Sequence, residues 1–129
     1  MELLDVYLSL FAAFFKIGLF GFGGGYAMLP LIQQEVVNTH NWISVADFTD
    51  IVAISQTTPG PIAFNSATYI GYSAVTDMGF STFHGIIGSA VCTLAVSIPS
   101  LVIMTVVCAF FARLNNNPWM RASLSVLKP

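Results

Sequence analysis

Charge is the scarcest component of this sequence. Only 8% of its 129 residues are Asp, Glu, Lys or Arg, against about 25% in an ordinary soluble domain, so ionised groups are too few to cover a water-exposed globule. Basic side chains are limited to Lys16, Arg113, Arg121 and Lys128, and the formal net charge is -2. No basic stripe exists to follow a phosphate backbone, which excludes nucleic acid as a partner. Cysteine is scarce too: Cys92 and Cys108 lie in one apolar stretch without CxxC spacing, which excludes a disulfide framework and a redox or metal motif. His40 and His84 lack partners at metal-ligand spacing, so no zinc site is expected. With no nucleophile beside a base and no cofactor motif, neither an enzyme nor a bound cofactor is expected. A basic leader region is missing as well. The chain opens on Glu2 and Asp5, and no small-residue cleavage site follows the first apolar run, which reads as a retained membrane segment.

What is present is apolar surface. Hydrophobic residues make up 56% of the chain and the mean hydropathy is +0.80, with runs too long for the core helices of so short a soluble chain. The expectation is an all-α integral membrane protein, multi-pass, with the lipid bilayer as its solvent.

Glycine and proline divide it. The first apolar run, Val6 to Phe22, stops at the cluster Gly21-Phe22-Gly23-Gly24-Gly25. A short helix is expected over Tyr26 to Val37, with Pro30 in its first turn, where a missing N–H is tolerated. The loop Asn38 to Ser44 carries Trp42 as an interfacial aromatic and Ser44 as the N-cap of a half-length helix over Val45 to Gln56, with Phe48, Ile51, Val52 and Ser55 on one face. Thr57-Thr58-Pro59-Gly60-Pro61 then breaks the chain before a second arm that runs to Tyr72. This helix–break–helix unit reads equally as a re-entrant hairpin or as one discontinuous crossing.

Ser73 to Phe83 reads as a linker. His84 to Phe111 is almost wholly apolar around Pro99, either one kinked helix or two shorter ones. A polar loop around Asn115-Asn116-Asn117 follows, with another helix from Ser123. The positive-inside rule puts the Arg113 to Arg121 loop in the cytoplasm, but two charges are too weak a bias to fix orientation.

In hydrocarbon an unpaired backbone group costs several kcal/mol, so broken helices persist at membrane depth only where protein or a hydrated cavity covers them. The two breaks therefore point to a pathway. A helix N-terminus carries roughly half a positive charge, and two of them facing one site attract an oxyanion. The alternative is that both breaks are packing kinks or loops at the membrane surface, since Gly and Pro are common in transmembrane helices. Candidate substrate ligands are Gly23, Gly24 and Gly25 at the first break, and Gln56, Thr58, Pro59, Gly60, Pro61 and Asn65 around the second. Hydroxyl and amide side chains in membrane helices also bond neighbouring helices or the carbonyl one turn back. Lys16, a charge inside an apolar run, is a further candidate, with snorkelling to the interface as its other reading. Glu35 is a potential proton carrier where it faces a cavity, while Asp47 and Asp50 read as solvated or interfacial.

The stretches FFKIGLFGFGGGYAMLPLIQQEVV and WISVADFTDIVAISQTTPGPIAFNSATYIGY resemble the core of the chromate transporter family. The likeness rests on the K-x-G-x-x-x-F-G-G run at Lys16 to Gly24, the W-I-S helix start at Trp42 to Ser44, and the Q-x-x-P-G-P-x-A element at Gln56 to Ala63, followed by Ile70-Gly71-Tyr72. The resemblance implies a secondary transporter subunit in the bacterial plasma membrane that moves an inorganic oxyanion, chromate or sulfate. It also implies one family domain, working as a homodimer or as a heterodimer with a paralogous half. A domain of this family is expected to continue past Pro129, so residues 1–129 read as incomplete at the C-terminus. A rival reading is a non-transporting membrane sensor or assembly subunit.

Overall fold

The computed structural model describes residues 2–21 and 24–127. Its helices are α1 (Leu3–Phe20), α2 (Gly25–Gln33), α3 (Val45–Thr57), α4 (Ile62–Asp77), α5 (Thr82–Leu114) and α6 (Pro118–Val126), with a π-helical segment, Gln34–Thr39, continuing α2. The chain divides into two compact units, residues 1–99 and 100–129.

In the first unit, α1 buries Val6, Leu10, Ala13, Phe14 and Ile17, a stripe at three- and four-residue spacing that defines one helical face. The same core cluster holds Ile32, Val36 and Val37 of α2 and the π segment, Phe48 and Ile51 of α3, and Ala67, Ile70, Ala74 and Val75 of α4. Gly85, Gly88, Cys92, Ala95, Val96 and Pro99 form the buried stripe of α5. Small residues dominate where α4 meets α5. Lipid is as apolar as leucine, so van der Waals contact between closely approaching backbones holds such helices together.

α1 and α5 are long and apolar enough to cross a membrane. At 1.5 Å per residue, the 33 residues of α5 extend about 50 Å, beyond the ~30 Å hydrocarbon layer. Pro99 lies inside this one helix, so the two-helix alternative does not occur. Its missing N–H leaves the Ala95 carbonyl without the usual partner.

Several boundaries differ from the sequence expectation. Pro30 sits in the second turn of α2, because the helix begins at Gly25. Ser73 to Asp77 belong to α4, where Ala74 and Val75 are buried, and packing overrides the polar look of the stretch. Trp42 is 7% exposed and belongs to the core, not to an interface. Ser44 does cap α3, accepting from the Asp47 N–H at 3.1 Å.

In the second unit, the residues of α5 beyond Pro99 are exposed around the helix, including Leu101, Met104, Val106 and Phe110. α6 starts at Pro118, five residues before the expected Ser123, because Asn117 caps it by accepting from the Trp119 N–H and proline suits a first helical position.

Candidate functional site

The one lysine of the apolar N-terminal run is paired. Lys16, in the C-terminal half of α1, donates from Nζ to Oε1 of Glu35, in the first turn of the π segment, at 2.6 Å. The two side chains differ in environment: Glu35 is 7% exposed and Lys16 56%. A buried carboxylate is thus neutralised by an ammonium that reaches outward.

The second carboxylate oxygen, Oε2, lies 3.6 Å from His40 Nε2, a contact longer than a hydrogen bond. The His40 ring stacks on Trp42 with centroids 4.1 Å apart and planes 5° from parallel. Backbone bonds fix this arrangement: the His40 N–H donates to the Glu35 carbonyl at 3.1 Å and the Trp42 N–H to that of Val36 at 2.9 Å. The wide turn of the π segment buries the consecutive residues Glu35, Val36 and Val37. Single π turns within helices recur at functional sites.

At the second break, α3 and α4 fold back on each other as a hairpin. The Ser66 hydroxyl donates to that of Ser55 at 3.1 Å, and both are fully buried. Thr58, Pro59, Gly60 and Pro61 connect the arms. Asn65 donates through Nδ2 to the carbonyls of Thr58 at 3.2 Å and Ser55 at 3.4 Å. Thr58 donates to the Ile54 carbonyl one turn back, at 2.8 Å, with its hydroxyl 3.3 Å from that of Tyr69. The side-chain donors of Thr58 and Asn65 therefore hold the break together, the backbone-bonding role expected of such residues. Gln56, Pro59, Gly60 and Pro61 are exposed.

At the first break, Gly23 lies outside the described residues. Gly24 has φ 97 and ψ 178, a conformation open essentially to glycine alone, and Gly25 begins α2. Neither Gly24 at the head of α2 nor Pro61 at the head of α4 offers a side-chain cap. The first bonds along these helices are Met28 N–H to Gly24 and Asn65 N–H to Pro61. The three amides before each therefore have no partner within their own helix. α1, α2 and α4 pack on one another in the first unit; Lys16 lies on α1, Glu35 on the π segment that continues α2, and the two uncapped starts belong to α2 and α4. An outward-reaching ammonium and an uncapped helix start are each groups that attract an anion.

The Lys16–Glu35 connection and the role of His40 escape sequence reasoning, although a signal exists. Of the acids before Trp42, Glu2 precedes α1 and Asp5 lies in its first turn, several turns from Lys16, which leaves Glu35. A surface hollow of about 450 Å³ lined by Asn115, Arg121, Leu124 and Ser125 belongs to residues 100–129 and contains none of these groups. Among the described residues, no three His, Cys, Asp or Glu side chains gather at metal-binding distance.

Residues 8–129 match the family model described as chromate transporter. The chain is 34% identical over 95% of its length to an uncharacterized transporter of Bacillus subtilis, YwrA, covering 64% of that protein. It is 36% identical over 84% of its length to a second uncharacterized transporter of that organism, YwrB, covering 49% of it. To the chromate transport protein of Cupriavidus metallidurans it is 28% identical over 84% of its length, covering 25% of that protein. The chain thus spans less than two thirds of the relatives it matches. No solved structure matches it.

Proposed function

The chain belongs to the chromate transporter family, and we propose that it is a secondary transporter subunit that moves an inorganic oxyanion, chromate or sulfate, across the bacterial plasma membrane. The observation that carries this reading is the pair of helices, α2 and α4, that start at Gly24 and Pro61 without side-chain caps. Their free N–H groups and positive ends suit a divalent oxyanion better than a cation or an apolar solute.

Each residue has a distinct place in this reading. Gly24 and Gly25 open the backbone of α2 to the anion, and Gly23 extends the same run. Pro59, Gly60 and Pro61 expose the start of α4. Thr58 and Asn65 keep that break in shape through their bonds to the Ile54, Thr58 and Ser55 carbonyls. Gln56, exposed beside the break, offers an uncharged donor, and Lys16 supplies the full positive charge.

Residues 1–129 act in this reading as one family domain, and a second copy or a paralogous half completes the pathway, as paired repeats do in many alternating-access transporters. The name of the Cupriavidus metallidurans relative, chromate transport protein, favours chromate as the first substrate to test. The test is uptake of radiolabelled chromate and sulfate into proteoliposomes that hold the full-length protein, alone and with a paralogue. Saturable uptake that each anion inhibits for the other supports the reading. Absence of uptake in every pairing overturns it.

A further inference from the structure

We propose that Glu35 is the proton-binding group that couples this transporter to pH, and that the oxyanion and Glu35 compete for Lys16; the inference rests on the oxyanion reading above. Without substrate, Lys16 neutralises Glu35 through the 2.6 Å contact. The ammonium is the exposed partner and the carboxylate the buried one, so an anion that reaches Lys16 does not first have to displace protein. A divalent oxyanion that takes the Lys16 ammonium leaves Glu35 ionised, buried and without its counter-charge. A lone carboxylate in that position carries a desolvation penalty that a bound proton removes.

His40 is the second titratable group against Glu35, with Nε2 3.6 Å from Oε2 and its side chain 34% exposed. It therefore lies beside the buried carboxylate and also reaches the protein surface, the position a proton relay to Glu35 would occupy. Stacking on the buried Trp42 holds the ring in that bridging position. Among the described residues, Lys16 and His40 are the charged or titratable groups within ion-pair distance of Glu35. The other titratable groups on neighbouring elements stand apart from it: Tyr26 of α2, Asp47 and Asp50 of α3 and Tyr72 and Asp77 of α4 are exposed, the Tyr69 hydroxyl of α4 lies 3.3 Å from that of Thr58, and Asp5 and Tyr7 lie more than two turns before Lys16 on α1.

Anion binding and proton binding then become one linked event: the anion goes onto Lys16 as the proton goes onto Glu35. The sign is fixed. Binding that takes up one proton weakens as pH rises, by about tenfold per pH unit where Glu35 is otherwise ionised.

The experiment loads proteoliposomes holding the full-length protein with a pH-sensitive dye and follows proton and radiolabelled chromate or sulfate movement together. The wild type is expected to carry protons inward with the anion in fixed ratio. In E35Q the anion should still bind, with its pH dependence and proton movement lost, because glutamine neither competes strongly for Lys16 nor takes up the proton. In H40Q the ratio should persist while proton movement slows. Anion flux without proton movement in the wild type overturns the coupling and leaves the transporter reading intact, whereas no anion flux in the wild type overturns both. E35Q that moves protons at the wild-type ratio overturns the assignment to Glu35. E35D serves as the second variant; the shorter carboxylate should retain proton movement, and its loss in a well-inserted protein counts against the assignment.

Discussion

Gly71 and Gly88 meet backbone to backbone: a Cβ on either would lie 2.5 Å from the other's carbonyl oxygen. This close approach between α4 and α5 joins the arm that carries the second break to a long apolar helix. Replacing either glycine with alanine is expected to push the helices apart and destabilise the protein by about 1–3 kcal/mol, the usual range for overpacking. Thermal unfolding of the purified protein in detergent checks this. Unchanged unfolding in both G71A and G88A would mean that the helices do not meet at these residues.

Gly24 poses a different constraint, since a Cβ there would meet nothing within 4 Å. The obstacle is conformational: φ 97 with ψ 178 costs a residue with a side chain about 1–3 kcal/mol. G24A should therefore loosen the start of α2 and reduce anion flux while membrane insertion stays normal. Asparagine should not rescue it, because its tolerance is for the left-handed helical region. Full flux together with wild-type hydrogen exchange in the first turn of α2 would remove Gly24 from the site.

These two glycines show what sequence can and cannot reveal here. The breaks at Gly21 to Gly25 and at Thr58 to Pro61 were legible, because glycine and proline act through local backbone geometry. The serine cap of α3 was legible for the same reason: Ser44 and Asp47 are near neighbours. Whether α3 and α4 form a hairpin was not, since that depends on the buried Ser55–Ser66 contact across eleven positions. The polar run Ser73 to Asp77 looked like a linker, yet burial of Ala74 and Val75 against α5 keeps it helical. The π turn that buries Glu35 left no pattern in the sequence.

The Ser55–Ser66 pair yields a test of the hairpin itself. Both hydroxyls are fully buried and bonded to each other. Removing one leaves the other unsatisfied, at about 1–3 kcal/mol, whereas removing both is close to neutral. S55A and S66A should each lower the unfolding temperature, and the double variant should recover most of the loss. Additive losses in the double variant would indicate that the two arms are not joined through these hydroxyls.

Asn65 is expected to matter through the shape of the break. Its amide reaches the carbonyls of Thr58 and Ser55, so N65L should leave both less well satisfied and cost about 1–3 kcal/mol. N65D keeps the shape but loses both donated bonds and adds negative charge next to the start of α4, so its anion affinity should fall further than that of N65L. Equal affinities in the two variants, measured by binding of chromate to the detergent-solubilised protein, would argue that no anion approaches this helix start.

The unequal exposure of Lys16 and Glu35 predicts unequal consequences of removing each. K16M leaves a buried carboxylate without its counter-ion, and breaking a buried pair in this way costs about 3–5 kcal/mol; the outward reach of Lys16 places the expected loss at the lower end. E35Q leaves an ammonium that is already 56% exposed and can be hydrated or screened, so its loss should be under about 1 kcal/mol. The double variant, K16M with E35Q, removes both charges and should approach the stability of E35Q alone. Anion affinity should behave otherwise: it falls in K16M and in the double variant, because both lack the cation that binds the oxyanion. Measuring unfolding and chromate binding on the same three proteins separates the two roles. Equal destabilisation by K16M and E35Q would show that the carboxylate is not buried as described, and unchanged affinity in K16M would leave Lys16 with a structural role alone.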